Sequence, residues 1–314
     1  MDALLKVVKD FLANHIKSDA PLLLGFSGGP DSLALLHLLL EAKKNVNFVL
    51  HVAHVDHRWR KSSAEEAKRL ADEVHELGLP FHLHTLDGHS KNEADARVAR
   101  LQFFQSLYQK LGCQALLLGH QRDDQSETVL KRILEGASLH ALCGMTFVAA
   151  LNGMQVWRPL LAFEKKDLFQ YVISMGLTPI LDETNDDVAY LRPRMRKTIL
   201  PNLAEQFGKE IGFNLSKLGE RAWELKGYLE RRIERYLNAV QSGPTLDLNP
   251  FLPLEKLELE FLLKRFIGEG QVLTHQMLET AHRLIETRAS HKVIPLKGNK
   301  DLYIDRGVLL LKFK

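Results

Sequence analysis

Cysteine is nearly absent: the chain of 314 residues carries two, Cys113 and Cys143. They form no Cys-x-x-Cys pair, so a disulfide framework is excluded and a reducing, cytoplasmic setting is expected. Long apolar runs are missing as well. None reaches the eighteen or so residues that a membrane helix needs, so no membrane partner is expected. Residues 1–19 mix charge into an apolar helical pattern (Leu4, Leu5, Val8, Phe11, Leu12), with no apolar core followed by small residues, which argues against a signal peptide. Repeats and low-complexity tracts are absent. Charge imbalance is small: +3, with an isoelectric point near 8.7. That balance permits a nucleic-acid partner without requiring one, so the placement of the cations has to decide. What is present is ordinary globular composition, 45% hydrophobic and 26% charged, at a length that suggests two domains.

Short apolar runs alternate with amphipathic stretches through the first half. Residues 21–26, 46–53, 81–86, 115–119 and 155–157 read as strands. Residues 32–43, 62–77, 94–110, 125–135 and 165–174 read as the helices between and after them. This alternation predicts a doubly wound α/β domain, a parallel sheet covered on both faces, over residues 1–200. From 201 to 314 the pattern changes. Ile211, Leu215, Leu218, Ala222, Leu225, Leu229 and Ile233 recur at steps of three and four, one apolar seam on a long helix. Gly243-Pro244 breaks it. Helices over 255–267 and 275–287 and strands over 292–296, 302–305 and 308–313 then make a small α+β unit.

The most informative segment is Ser27-Gly28-Gly29-Pro30-Asp31-Ser32, between an apolar strand and an amphipathic helix. Its glycines allow a tight turn, and the helix that follows aims its unpaired N–H groups at the same spot, which suits a phosphate. It is not a Walker A loop. Counting from Gly25, the second glycine would fall on Pro30 and the lysine on Asp31. An acid where a cation is expected repels bare phosphate, so a bridging Mg²⁺ held by Asp31 is implied. The plainer alternative is a turn with Asp31 or Ser32 as helix cap. Polar residues also gather where the second and fourth strands end, at His54-Val55-Asp56-His57 and at His120 to Glu127. Ligands bind at that edge in open α/β sheets.

Strand period puts His51 and His57 on one face only if the strand continues that far, and His54 on the other, which disfavours a zinc site. Asp56 at a strand end could meet a nucleotide. His120, Asp124 and Glu127 are spaced four and three and share a face if their helix begins early. A helix start enriched in acids by the dipole, capped by Asp123, accounts for Glu127 but not for His120. Arg97 and Arg100 lie on successive turns of one helix, where surface ion pairing is an equal reading. Arg192-Pro193-Arg194-Met195-Arg196-Lys197 is a basic segment at the domain junction, suited to nucleic acid or simply solvated.

On these residues the chain resembles the PP-loop family of N-type ATP pyrophosphatases. Ser27–Ser32 matches its SGGxDS motif. The His54–His57 group, the Arg97/Arg100 helix, the run from His120 to Thr128, Arg158-Pro159-Leu160-Leu161, Asp182-Glu183-Thr184-Asn185-Asp186 and the segment 192–201 follow in the order of its tRNA(Ile)-lysidine synthetase branch. The likeness is strong over residues 20–201, with Pro193 standing where that branch usually has asparagine. The extra C-terminal domain of longer members is not expected. The resemblance implies ATP and Mg²⁺ as cofactors and free L-lysine and tRNA(Ile) with a CAU anticodon as substrates. It implies an adenylated tRNA intermediate, with AMP and pyrophosphate released. By residue, it implies ATP binding at Ser27, Gly28, Gly29, Pro30, Asp31, Ser32, His54 and Asp56. It implies lysine binding or catalysis at His120, Asp124, Glu127 and Arg100, and tRNA binding at Arg97, Arg192, Arg194 and Arg196. A homodimer is left open. The rival readings are a PP-loop enzyme acting on another tRNA base or on a small molecule, and a non-catalytic nucleotide-dependent RNA-binding protein. Cys113 and Cys143 are poorly placed for the paired thiols of the sulfur-inserting branches.

Overall fold

In the computed structural model the described residues are 2–59, 62–86, 93–181, 191–268 and 273–313. The acidic run 182–186 noted above lies outside them. Contacts divide the chain into two compact units, Met1–Ala222 and Trp223–Lys314.

The first unit is built on a six-stranded sheet. In chain order its strands are β1 (Leu22–Gly25), β2 (Leu50–Asp56), β3 (Phe81–Thr85), β4 (Ala115–Leu118), β5 (Val148–Leu151) and β6 (Met154–Trp157), and their spatial order is β3-β2-β1-β4-β6-β5. All neighbours are parallel except β5, which pairs antiparallel with β6. Strand period sorts the core. Leu22 and Leu24 face a cluster with helices α1 (Asp2–His15), α2 (Pro30–Lys43), α3 (Ser63–Glu76) and α6 (Lys165–Ser174). Leu23 faces the opposite cluster, with Phe104 and Leu107 of α4 (Glu93–Leu111). The expected doubly wound layout is therefore present, with order reversing between β1 and β4.

Three local expectations are corrected. The second strand runs later than 46–53, because Val46 and Phe48 pack on the core without entering the ladder, which begins where Leu22 pairs with Leu50. An unexpected hairpin joins β5 to β6 through Asn152 and Gly153, both at positive φ (49° and 75°). Asn-Gly is the two-residue turn whose twist suits a hairpin. The basic segment is helical: α7 (Leu191–Arg194), a π-helical stretch Met195–Ile199, and α8 (Leu200–Phe207). Pro201 has no N–H to give back to the preceding turn, and the wider turn in which Leu200 N–H reaches Met195 O absorbs that loss.

Helix α9 (Ile211–Val240) carries the boundary between the units. In the second unit its Leu229 and Ile233 pack with α10 (Lys256–Ile267), α11 (His275–Glu286) and a sheet of order β7-β8-β11-β10-β9. Those strands are β7 (Gln241–Ser242), β8 (Thr245–Asp247), β9 (Lys292–Pro295), β10 (Lys300–Asp305) and β11 (Val308–Phe313), all antiparallel. The short β7–β8 pair turns at Gly243-Pro244, read from sequence only as a break.

Candidate active site

The loop after β1 is held from within. Ser27 N–H donates to Ser32 Oγ at 3.2 Å, the Ser27 and Ser32 hydroxyls meet at 3.0 Å, and Ser32 Oγ donates to Gly29 O at 3.0 Å. Both hydroxyls are engaged in shaping the loop. Gly28 has φ +77°, and a Cβ there would lie 2.8 Å from Ile180 Cδ1 and 2.9 Å from Leu70. The N-cap of α2 is Gly29, with no side-chain cap, and Pro30 follows it. Neither Asp31 nor Ser32 is the cap, so the first-turn amides are left for a ligand. Gly119, at the end of β4, lies against this turn: a Cβ on it would be 3.0 Å from the backbone C and O of Asp31. The cradle thus sits where the sheet order reverses, between the carboxyl ends of β1 and β4.

Asp31 Oδ1 is buried without a hydrogen-bond partner. Burial first, then the charges of Asp124 and Asp123, push its pKa up to about 7, against Lys165 and Arg196, which lower it. An orphaned carboxylate oxygen held in that state fits a divalent cation. Among the described residues no group of three or more His, Cys, Asp or Glu could hold a metal. The fit is therefore to Mg²⁺ bound by one or two carboxylates and completed by phosphate oxygens and water.

His54 and Asp56 lie inside β2 and brace the loop's surroundings. His54 Nδ1 donates to Phe26 O at 2.8 Å, fixing the last carbonyl before the loop, and burial keeps its pKa low. Asp56, 4% exposed, accepts the N–H of Arg58 at 2.9 Å.

Helix α5 (Arg122–Leu134) opens at the end of β4 with a capping box. Gln121 is its cap and accepts from Asp123 N–H, while Asp124 Oδ2 accepts from Gln121 N–H at 3.2 Å. Asp123, the cap in the helix-dipole alternative, instead accepts the N–H of Lys165 at 2.8 Å. His120 precedes the helix, so it does not share its face. Asp124 and Glu127 do, and both are bound by Arg196: its Nε to Glu127 Oε1 at 2.7 Å, its Nη2 to Asp124 Oδ1 at 3.3 Å. Glu127 is 3% exposed, and burial raises its pKa against the opposing pull of Arg196.

His120 is surrounded by cations. Burial, then Arg158, Arg192, Arg100 and Arg97, lower its pKa to about 3. It is therefore a neutral imidazole and a poor proton acceptor. Arg97, Arg192 and Arg194 are exposed and Arg196 is not, since its charge is given to two carboxylates. Sequence reasoning did not single out Gly119, Lys165 or Gln121 as site residues. It named Arg158 only as part of a motif. The roles of Gly119, Lys165 and Arg158 come from contacts between distant segments, and that of Gln121 from a local capping box.

A family model described as the PP-loop domain matches residues 2–203. The tRNA(Ile)-lysidine synthase of Protochlamydia amoebophila (strain UWE25) is 36% identical over 308 residues, 96% of this chain and 67% of that protein. That of Chlamydia pneumoniae is 35% identical over 297 residues, 92% of this chain and 91% of that protein. Among solved structures, the U34-tRNA thiolase NcsA from Methanococcus maripaludis superposes with a TM-score of 0.55 at 17% identity, over 71% of this chain and 80% of that chain, a likeness of fold. No helix among the described residues is long and apolar enough to cross a membrane.

Proposed function

Because this chain belongs to the PP-loop family, and within it to the tRNA(Ile)-lysidine synthases, we propose that it is an ATP-dependent ligase joining free L-lysine to the wobble cytidine of a tRNA(Ile) with a CAU anticodon. It works in the cytoplasm, where all three substrates are available. The observation that carries the chemistry is the uncapped amide cradle after β1 with the orphaned Asp31 oxygen beside it.

In the first step the cytosine O2 attacks the α-phosphorus of ATP, the bond to the β-phosphate oxygen breaks, and pyrophosphate leaves. The uncapped first-turn amides of α2 hold the departing phosphates, with His54 fixing the loop's entry through Phe26 O. Mg²⁺, held by Asp31, would supply charge neutralisation between the carboxylates and the phosphates. In the second step the lysine ε-amine attacks C2, and AMP leaves with O2. The amine must be neutral to attack, which costs about 4.6 kcal/mol at pH 7 from a pKa near 10.4. Burial and the surrounding arginines lower the pKa of His120 to about 3 and make it a weak base, so the acceptor we favour is the carboxylate group of Asp124 and Glu127. Those acids also suit the ammonium groups of lysine, and Arg97, Arg192 and Arg194 suit tRNA phosphates.

The test is product identity with variant control. Wild-type protein with ATP, Mg²⁺, lysine and the tRNA should release AMP and pyrophosphate only when tRNA is present, and Asp31→Ala should abolish release. ADP and orthophosphate as products would exclude the reading. Turnover with a small amide acceptor in place of tRNA would favour a different PP-loop substrate.

A further inference from the structure

Charge at the carboxyl ends of the first unit's strands is divided. Asp31, Asp124 and Glu127 gather around Arg196, while the charges acting on His120 among the described residues are those of Arg158, Arg192, Arg100 and Arg97. At the centre of that second group is Arg158, which follows β6 directly and is 8% exposed. Its backbone N–H donates to Phe147 O at 2.8 Å, its Nη1 to Thr146 O at 2.9 Å, and its Nε to His120 Nδ1 at 3.3 Å. Among the described residues no carboxylate pairs with it; the charge that acts on it is another cation, Arg97. Burial and Arg97 together lower its pKa to about 10. Buried charges are normally paired. This one is left with a guanidinium edge that no carboxylate among the described residues meets. Arg97 and Arg192 stand exposed nearby, their fields reaching the same imidazole.

Contact with Arg158 also fixes the tautomer of His120. Nδ1 accepts from the guanidinium, so the neutral ring carries its proton on Nε2, where it is a further donor.

We propose that Arg158, flanked by Arg97, Arg192 and the Nε2–H of His120, forms an oxyanion site that seats a backbone phosphate of the RNA substrate beside the base being modified. The proposal rests on the RNA-ligase reading above and deepens it. Three features select an RNA phosphate over the other anions of the reaction. The ATP phosphates have their own amide cradle after β1. The lysine carboxylate carries one charge, whereas this group offers several cations with no carboxylate partner among the described residues, as a polyanion requires. Arg97 and Arg192 are solvent-facing, placed for a polymer arriving from outside, while buried Arg158 can fix the register of one phosphate with its planar fork. Arg158 and His120 are then positioning groups for the cytidine.

The test uses a CAU anticodon stem-loop RNA, with binding followed by fluorescence anisotropy across a salt series without ATP or lysine. Arg158→Gln should weaken binding about tenfold and reduce the log–log salt slope by roughly 0.7 to 0.9, without raising KM for ATP or lysine. Arg158→Lys should keep the slope and lose affinity, because a point charge lacks the fork. Replacing single phosphates of the RNA by neutral methylphosphonates should reproduce the loss at one position flanking the cytidine in the wild type, and add nothing at that position in Arg158→Gln. Unchanged affinity and slope in Arg158→Gln with a raised KM for lysine would overturn the proposal in favour of a carboxylate site. A raised KM for ATP alone would overturn it in favour of a nucleotide phosphate. If Arg158→Gln fails to fold, the methylphosphonate scan on the wild-type enzyme decides: no sensitive position overturns the proposal. A wild-type enzyme that binds no RNA overturns this and the parent reading together. Normal RNA binding with an Arg158 that does not matter overturns this proposal only.

Discussion

Arg196 reaches across 69 residues of sequence to donate from Nε to Oε1 of Glu127 at 2.7 Å. Glu127 is 3% exposed and Arg196 about one-third exposed, so the pair is held at the edge of the interior. Removing one partner leaves the other's charge stranded. Arg196→Ala should therefore destabilise the first unit by about 3 kcal/mol. The neighbouring exposed Arg194→Ala should stay within about 0.5 kcal/mol of wild type. Urea denaturation followed by circular dichroism compares them; equal small losses would show that Glu127 is protonated or solvated and has no need of Arg196.

The same contact bears on the substrate amine. A lysine ammonium entering beside Asp124 and Glu127 has to share them with Arg196. Glu127→Gln keeps the shape and removes the charge. It should raise KM for lysine or block transfer while tRNA-dependent release of pyrophosphate persists. Lost stability with unchanged lysine kinetics would assign these acids to the helix dipole, worth roughly 0.3–1 kcal/mol each. Lost pyrophosphate release would move them to the ATP site.

Gly119→Ala tests the seating of the phosphate loop on β4. The added methyl would lie 3.0 Å from the backbone of Asp31, and backbone cannot swing aside as a side chain can. The start of α2 must shift, and a shift of this kind should lower kcat/KM for ATP by about a hundredfold. Gly112→Ala, where a Cβ meets nothing within 4 Å, is the control for fold, although its φ of +64° will cost some stability. Wild-type ATP kinetics in Gly119→Ala would mean the loop has slack that the close approach does not suggest.

Much of the first unit can be read from sequence because its parallel strands are short apolar runs set between long amphipathic helices. The Ser27–Ser32 loop stands out for the same reason: two glycines and an acid set between an apolar strand and a helix mark a tight turn that faces a ligand. The Asn152-Gly153 hairpin is equally local and is signalled by its turn pair, but the apolar run before it lacks clear alternation. Contacts between distant segments leave no such mark. That Arg196 binds Glu127 and Asp124, while Arg194 stays exposed, depends on how α7, the π-helical turn and α5 meet. The neutral state of His120 arises from burial and from four arginines on three separate segments. Charge composition names such residues and cannot say which of them face one another.

Asp31 makes stability depend on pH in an unusual direction. Its folded pKa is about 7 against an ordinary value of 3.8. Between these values the folded state keeps a proton that the unfolded chain releases. The free protein should therefore lose stability as pH rises from about 4 to about 7, and lose no more above that range. Asp31→Asn cannot ionise and should escape this dependence. In the presence of a chelator, the Tm difference between Asp31→Asn and wild type should grow from pH 5 to pH 8. Parallel Tm curves would mean that Asp31 ionises normally in the folded protein.

The most direct measurement is mass spectrometry of a tRNA(Ile) bearing a CAU anticodon after incubation with the protein, ATP, Mg²⁺ and isotopically labelled lysine. The predicted result is a labelled gain of one lysine less one water, confined to the wobble cytidine, with one AMP formed for each modified tRNA. A tRNA that stays unmodified while ATP is consumed, or a label found at any other nucleotide, would contradict it.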